Sequence, residues 1–185
     1  EILDFPFLPE AFDGFKITQI SDIHSGSLSD GRGVRKGINL ANAQNSDLLL
    51  FTGDLVNNKA TEMDPWIADF DTLKAPFGKF SVLGNHDYGD YAQWPSAEQK
   101  HLNLVRLKEV HAEMGFKLLL NEAITIQKSG QSISLVGVEN WGKGGFHQYG
   151  DLDKATTNLS KESFKILMSH DPSHWDHVTL DHPKD

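Results

Sequence analysis

Residues 48–54 read Leu-Leu-Leu-Phe-Thr-Gly-Asp, an apolar run that stops abruptly at a glycine and a carboxylate. A continuous apolar run of this length is typical of a strand buried on both faces of a sheet, so we predict a strand over 48–52. Further runs rich in β-branched or aromatic residues end in polar residues in the same way, and they cover 15–20, 79–83 and 164–168. The repeated pattern predicts a sheet whose strands carry polar side chains just beyond their carboxyl ends.

The segments between these strands have the spacing of amphipathic helices. The predicted helices cover residues 34–44, 65–73 and 97–114. Gly115 is placed to end the last of them. Two further β-rich runs, 123–127 and 132–138, are joined across Ser129-Gly130 and predict a hairpin. The fold class is therefore α/β, with a second half that is partly antiparallel.

Length and composition are those of a globular protein. The chain has 185 residues, of which 38% are hydrophobic and 23% charged, and we expect one domain over 1–185. The net charge of −9 disfavours binding to nucleic acid or to an anionic membrane surface, because both attract clustered Lys and Arg. The longest apolar runs fall far short of the roughly 20 residues that span a bilayer. The chain opens at Glu1 without Met, so we expect upstream sequence to be missing.

Four polar clusters follow the predicted strands. In chain order they are Asp22-Ile23-His24, Gly53-Asp54, Gly84-Asn85-His86-Asp87 and His170. In open α/β sheets ligands bind beyond the carboxyl ends of the strands, which is where these clusters fall. Taken singly, each has an ordinary structural explanation; a lone His170, for example, is more often a capping or core histidine than a ligand. All four in this order indicate a site.

The residue types suit phosphoester hydrolysis at two metal ions. The reaction needs a hydroxide near neutral pH and positive charge around the phosphoryl group, and two metals roughly 3.5–4 Å apart supply both. A carboxylate can bridge two cations through its two oxygens, whereas imidazole and the Asn amide oxygen offer one donor atom each. Since the chain has no cysteine, the ligands are oxygen and nitrogen, which suit Mn, Fe or Zn better than Ca.

The ordered blocks D-x-H, G-D, G-N-H-D and a later single His resemble those of the calcineurin-like metallophosphoesterases. The residues around these blocks, including ISDIHSG at 20–26 and LGNHDYGDY at 83–91, resemble those of a bacterial branch of the family. In members of that branch the domain often follows an N-terminal membrane segment. The resemblance covers most of the chain. It implies an α/β/β/α sandwich, in which two mixed sheets are flanked by helices.

The resemblance also implies a role for each matching residue. Asp22 and His24 would bind the first metal, Asp54 would bridge both metals, and Asn85 and His170 would bind the second. His86 would be catalytic rather than a ligand, facing the phosphate to stabilise charge or protonate the leaving oxygen. Asp87 is the second catalytic candidate, and either Asp22 or Asp87 would orient the ring of His86.

The sequence departs from the family at its C-terminal end. The family closes its site with a G-H-x-H block after the single His, and this sequence contains none. We therefore expect a chain cut short before the last strands, with one protein ligand missing from each metal and weaker metal binding. The histidines of the tail lie outside such a block and are interpreted as surface or helix residues: His174, His177 and His182.

The predicted function is a metal-dependent phosphohydrolase that cleaves phosphomonoesters or phosphodiesters with a hydroxide activated by two metals. A small phosphoester such as a nucleotide-sugar or a lipid phosphate is the expected substrate. Two alternatives stay open: a catalytically silent metal-binding or interaction module, and a nuclease of the same family, which the net charge of −9 disfavours. Trp141, Tyr88 and Tyr91 are candidates to line the substrate pocket, with loop packing as the alternative.

Overall fold

The computed structural model describes residues 1–142 and 147–176. The strands are β1 (Ile17–Ile20), β2 (Leu48–Phe51), β3 (Lys79–Ser81), β4 (Phe116–Leu118), β5 (Glu122–Lys128), β6 (Gln131–Gly137) and β7 (Lys165–Met168). The α-helices are α1 (Gly31–Ala43), α2 (Ile67–Asp71), α3 (Ala97–Glu113) and α4 (Leu152–Thr156). Short 3-10 helices cover Glu10–Phe12, Ser25–Ser27, Ala60–Met63 and His86–Tyr88.

The strands form two sheets. The first has the order β1-β2-β3-β4 and is parallel throughout, with Ile20 opposite Phe51 and Phe51 opposite Ser81. The second has the order β5-β6-β7, in which β5 and β6 are antiparallel and β6 and β7 parallel. The predicted two-sheet α/β architecture is confirmed, with one difference of detail: only the second sheet is mixed.

Strand β2 shows why the sheets stack face to face. Leu49 and Phe51 point to one side, into a core shared with residues of α1, α2 and α3. Leu48 and Leu50 point to the other side and pack with apolar residues of β6 and β7. On the far face of the second sheet, Val136 packs with Ala155 of α4. The layers are therefore helix, sheet, sheet and helix, and the four buried residues of β2 explain its continuous apolar run.

Helix ends follow the expected capping chemistry. Asp30 caps α1 by accepting a hydrogen bond from the backbone N–H of Arg32, and Ser96 caps α3 by accepting one from Gln99. Gly115 follows the end of α3 with φ of 74°, as predicted. Among the strands and α-helices given above, those that the sequence did not predict are β4 and α4, which have 3 and 5 residues.

One tail histidine can be compared with its prediction as a surface or helix residue. His174 lies in a helical segment over 173–176, is 1% exposed, and has its Nδ1 3.0 Å from the hydroxyl of Ser169, so it is a buried helix residue and not a surface one. His177 and His182 lie outside the described residues. Among the helices of residues 1–142 and 147–176, none combines the length and apolar character needed to cross a bilayer.

Candidate metal centre

The loops that leave β1 and β2 run side by side and bring the first polar clusters together. The backbone N–H of Asp22 donates to the carbonyl of Gly53 at 3.0 Å, and that of His24 donates to the carbonyl of Asp54 at 3.1 Å. These bonds continue the pairing of the two strands beyond the sheet. Because β1 and β2 are parallel neighbours, their carboxyl ends place Asp22, His24 and Asp54 at one edge.

Left-handed backbone is concentrated in these loops. The φ angles are 55° at Asp22, 45° at His24 and 58° at Asp54. A non-glycine residue with positive φ is uncommon, and such conformations persist where the surrounding structure holds them. Three of the five residues predicted as ligands thus adopt a strained backbone conformation where the loops meet.

Asp54 lies at the centre of the site. Its side chain is buried, and Oδ1 accepts a hydrogen bond from the backbone N–H of His86 at 2.9 Å. Oδ2 lies 3.5 Å from Nε2 of His24 and 3.4 Å from Nε2 of His170. A single carboxylate oxygen therefore stands between two imidazole nitrogens, one from each sheet.

Backbone carbonyls fix which nitrogen of two histidines faces the site. Nδ1 of His170 lies 2.8 Å from the carbonyl of Thr52, and Nδ1 of His86 lies 2.8 Å from the carbonyl of Asn57. Because a carbonyl only accepts, Nδ1 carries the hydrogen and Nε2 is turned to the site. A ring N–H held by a carbonyl is the arrangement that metal-binding histidines commonly adopt.

The side chains fall into two sets that share Asp54. One set is His24, Asp54 and His86, the other is Asp22, Asp54 and His170, and within each set the ligand atoms lie within 4.8 Å of one another. In addition, Oδ1 of Asn85 lies 3.2 Å from Nε2 of His170. Such a concentration of oxygen and nitrogen lone-pair atoms fits a site for divalent metal.

Without a cation, Asp54 and His170 stabilise each other as an ion pair. Burial disfavours the charged form of both groups and is the largest influence on each. The hydrogen bond and charge of His170 nevertheless leave the pKa of Asp54 below its usual value, and Asp54 raises the pKa of His170 to about 9. The carboxylates of Asp54 and Asp22 thus favour the charged form of His170.

Asp87 lies beneath the site and is fully buried. One oxygen accepts from the backbone N–H groups of Asp54 and Gly84, each at 2.9 Å, and the other accepts from Leu55 at 2.8 Å and Val56 at 3.3 Å. Burial raises the pKa of Asp87 to about 7, while the bonds from Gly84, Val56 and Leu55 oppose the rise. The carboxylate of Asp87 thus accepts from backbone N–H groups, whereas Nδ1 of His86 bonds to the backbone carbonyl of Asn57.

The sequence did not point to Asn57 or to the residue that holds it. The carboxylate of Glu62 accepts from the backbone N–H groups of Asn57, Asn58 and Lys59 at 2.6, 3.1 and 2.9 Å. These bonds fix the segment whose carbonyl meets His86. A backbone carbonyl is the same in every residue, so no residue type could have revealed this contact.

The aromatic candidates for the pocket separate in the structure. Tyr88 is buried and stacks on Tyr149 with ring centroids 3.9 Å apart, and its hydroxyl donates a hydrogen bond to Glu139. These contacts are those of loop packing. Trp141 stacks on His174 with centroids 4.3 Å apart. Tyr91 instead lies against His86, with centroids 4.5 Å apart. Tyr91 therefore contacts a predicted catalytic residue of the candidate centre.

Two glycines allow the loops to approach so closely. A Cβ on Gly84 would lie 2.2 Å from Oδ1 of Asp54, and a Cβ on Gly53 would lie 2.5 Å from the backbone nitrogen of Gly84. Gly53 also has φ of 98°, which side-chain-bearing residues rarely adopt. The glycines that precede Asp54 and Asn85 are thus required by the packing of the site.

Sequence comparison relates the chain to known proteins. An uncharacterised metallophosphoesterase of Bacillus subtilis, YkuE, is 30% identical over 168 residues, which are 89% of this chain and 54% of that protein. A transmembrane protein with a metallophosphoesterase domain from Bos taurus is 26% identical, over 89% of this chain and 37% of that protein. The UDP-2,3-diacylglucosamine pyrophosphatase LpxG of Chlamydia muridarum is 25% identical, over 96% of this chain and 64% of that protein.

The chain thus spans between about a third and two thirds of the length of these relatives. The family model for calcineurin-like phosphoesterases matches residues 15–184. The matched range contains each of the polar clusters that converge at Asp54. Since the match takes in nearly the whole chain, the protein belongs to the calcineurin-like phosphoesterase family.

Proposed function

We propose that this chain is a metal-dependent phosphohydrolase domain that cleaves phosphomonoesters or phosphodiesters with two divalent cations. The observation that carries the proposal is the position of Asp54 Oδ2, which lies within 3.5 Å of Nε2 of both His24 and His170. A carboxylate has lone pairs for more than one partner, so a buried carboxylate beside two imidazole donors suits a ligand shared by two metals. Family membership supports the same reaction class.

Each side chain has a proposed role. Asp22 and His24, whose Oδ1 and Nε2 lie 3.9 Å apart, would hold the first cation, Asn85 and His170 would hold the second, and Asp54 would hold both. When bound, the cations would supply a nucleophile from water near neutral pH and would neutralise phosphoryl charge. Mn, Fe and Zn are the proposed ions because the donors are oxygen and imidazole nitrogen.

His86 is the proposed catalytic residue. Its Nδ1–H donates to the carbonyl of Asn57, so Nε2 faces the site, and the side chain is partly exposed to an incoming substrate. From this position it stabilises charge on the phosphoryl group or moves a proton to the leaving oxygen. Asp87 acts through the backbone that it binds and not through the ring of His86.

The proposed substrate is a small phosphoester of the nucleotide-sugar or lipid-phosphate type. The name of the chlamydial relative, a UDP-2,3-diacylglucosamine pyrophosphatase, supports this class. The net charge of −9 disfavours a nucleic acid substrate. For the whole protein we propose a membrane-associated setting, which the bovine transmembrane relative supports.

Hydrolysis of bis-p-nitrophenyl phosphate and p-nitrophenyl phosphate by the Mn-loaded protein tests the proposal. Asp54→Asn should abolish turnover, because the amide lacks the charge needed to hold two cations. The exposed helix residue Asp153 provides a matched control, and Asp153→Asn should retain wild-type turnover. Full activity in Asp54→Asn would contradict the shared-ligand role, and Mn binding without turnover in the wild-type protein would favour a catalytically silent metal-binding module.

A further inference from the structure

Tyr91 lies on an anchored loop that connects the 3-10 helix His86–Tyr88 to α3. The indole Nε1–H of Trp94 donates to the carbonyl of Gly89 at 2.7 Å, and Asp90 forms an ion pair with Lys100 of α3. These contacts bracket Tyr91 on both sides in sequence. The loop around Tyr91 is therefore anchored to the rest of the domain.

The hydroxyl of Tyr91 accepts a hydrogen bond from Nδ2 of Asn85 at 2.8 Å. The other end of the same amide, Oδ1, lies 3.2 Å from Nε2 of His170. Rotation of an Asn amide about χ2 is soft, so a partner for one end decides where the other end points. The hydroxyl of Tyr91 binds the NH₂ group and leaves the amide oxygen facing Nε2 of His170.

The ring of Tyr91 contacts the other functional group of the G-N-H-D block. Its centroid lies 4.5 Å from that of His86, with 39° between the ring planes. His24 packs against His86 as well, with centroids 4.7 Å apart and planes at 89°. The imidazole of His86 is thus held between two rings while its Nδ1 is held by Asn57.

We propose that Tyr91 is a positioning residue of this centre, which directs Oδ1 of Asn85 to the second cation through its hydroxyl and holds His86 in place through its ring. The proposal rests on the function proposed above. Tyr91 is 48% exposed, so packing of the core does not explain its contacts. By contrast, Tyr88 is 4% exposed and belongs to the core.

The hydroxyl is tested by Mn²⁺ calorimetry on the metal-free wild-type protein and on Tyr91→Phe. We expect one Mn²⁺ site to weaken roughly 10-fold, the size typical for loss of a partner that orients a metal ligand. Tyr149→Phe removes a hydroxyl from the ring that stacks on Tyr88 and should leave Mn²⁺ affinity unchanged. Equal affinities in wild type and Tyr91→Phe would overturn the role of the hydroxyl.

The ring is tested by steady-state kinetics with bis-p-nitrophenyl phosphate. Tyr91→Phe keeps the ring, so raising Mn²⁺ to saturation should restore kcat to the wild-type value. Tyr91→Leu removes the ring, so kcat should stay lowered by roughly 10-fold or more at saturating Mn²⁺, because a displaced proton-transfer group cannot be recovered by adding metal. Full recovery of kcat in Tyr91→Leu would overturn the role of the ring.

The two proposals fail in different ways. Wild-type protein that binds Mn²⁺ without hydrolysing either ester contradicts the proposed function, while the calorimetric comparison of Tyr91→Phe with Tyr149→Phe still decides the role of the hydroxyl. If the wild-type protein hydrolyses the esters, and Tyr91→Phe keeps its Mn²⁺ affinity and Tyr91→Leu keeps its kcat, only the role of Tyr91 is contradicted. Wild-type protein that binds no Mn²⁺ contradicts both.

Discussion

The carboxylate of Asp87 holds the backbone of Asp54. Oδ2 of Asp87 accepts the N–H of Asp54 at 2.9 Å and, at the same distance, the N–H of Gly84 on the neighbouring loop. One buried side chain therefore joins the loop that carries the central carboxylate to the loop that carries Asn85 and His86. Asp54 has φ of 58°, and these bonds help to hold it in that strained conformation.

Asp87→Asn should destabilise the protein and weaken Mn²⁺ binding. The amide would turn an NH₂ group toward N–H donors that need an acceptor, so we expect the free energy of unfolding to fall by about 3 kcal/mol. Urea unfolding at pH 8, where the wild-type carboxylate is ionised, measures this loss. The exposed Asp153→Asn is the control, and equal unfolding midpoints for the two variants would contradict the role of Asp87.

Gly84→Ala should disrupt the centre through a steric clash. The added methyl group would lie 2.2 Å from Oδ1 of Asp54 and 2.6 Å from its backbone nitrogen, so the loops must separate. Strain of this kind costs about 1–3 kcal/mol, and Mn²⁺ affinity should drop with it. A Cβ at Gly37 in α1 meets nothing within 4 Å, so Gly37→Ala should be neutral or stabilising. Unchanged Mn²⁺ affinity in Gly84→Ala, measured by calorimetry, would count against the close approach.

His86→Asn distinguishes a catalytic role from a ligand role. The ligand atoms of His86, His24 and Asp54 lie within 4.8 Å of one another, so geometry alone permits either role. We expect kcat to fall roughly 10²–10⁴-fold, the usual contribution of a proton-transfer group, with Mn²⁺ stoichiometry retained. His101→Asn on the exposed side of α3 is the matched control. Loss of one Mn²⁺ site in His86→Asn would identify His86 as a ligand.

His111 should make the fold sensitive to acid. It is fully buried on α3 beside Phe51, with ring centroids 5.9 Å apart, and burial lowers its pKa to about 3. The unfolded chain, with a pKa near 6.5, takes up the proton first as the pH falls, so stability is retained above about pH 6.5 and lost below it. The loss approaches about 1.4 kcal/mol per pH unit.

Replacement of His111 by Leu should remove this part of the pH dependence. Both ring nitrogens of His111 have no hydrogen-bond partner among the described residues, so an apolar side chain should also be tolerated at pH 7. Urea unfolding of wild type and His111→Leu at pH 6.5 and pH 5 measures the difference. The variant should gain about 1.5–2 kcal/mol relative to wild type over that interval. Stability that falls equally in both proteins would refute the assignment.

Local pattern was enough to predict much of the fold. The apolar run at 48–52 predicted β2, and the structure buries every residue from Leu48 to Phe51. Helix α3 and the hairpin of β5 and β6 also lie where the spacing placed them, to within a residue or two at their ends. Strand β4, which has 3 residues, escaped prediction.

The sequence by itself determined the residue types of the centre and their placement after strand ends, because parallel neighbouring strands bring their carboxyl ends to one edge. Only the tertiary structure decided which groups these residues contact. Asp87 accepts from the backbone N–H of Asp54, and the ring of His86 bonds to the carbonyl of Asn57. Tyr91 bonds to Asn85, and His111 is buried. These contacts depend on backbone groups, which are the same in every residue, and on loops that are far apart in sequence. The order of residues therefore does not predict them.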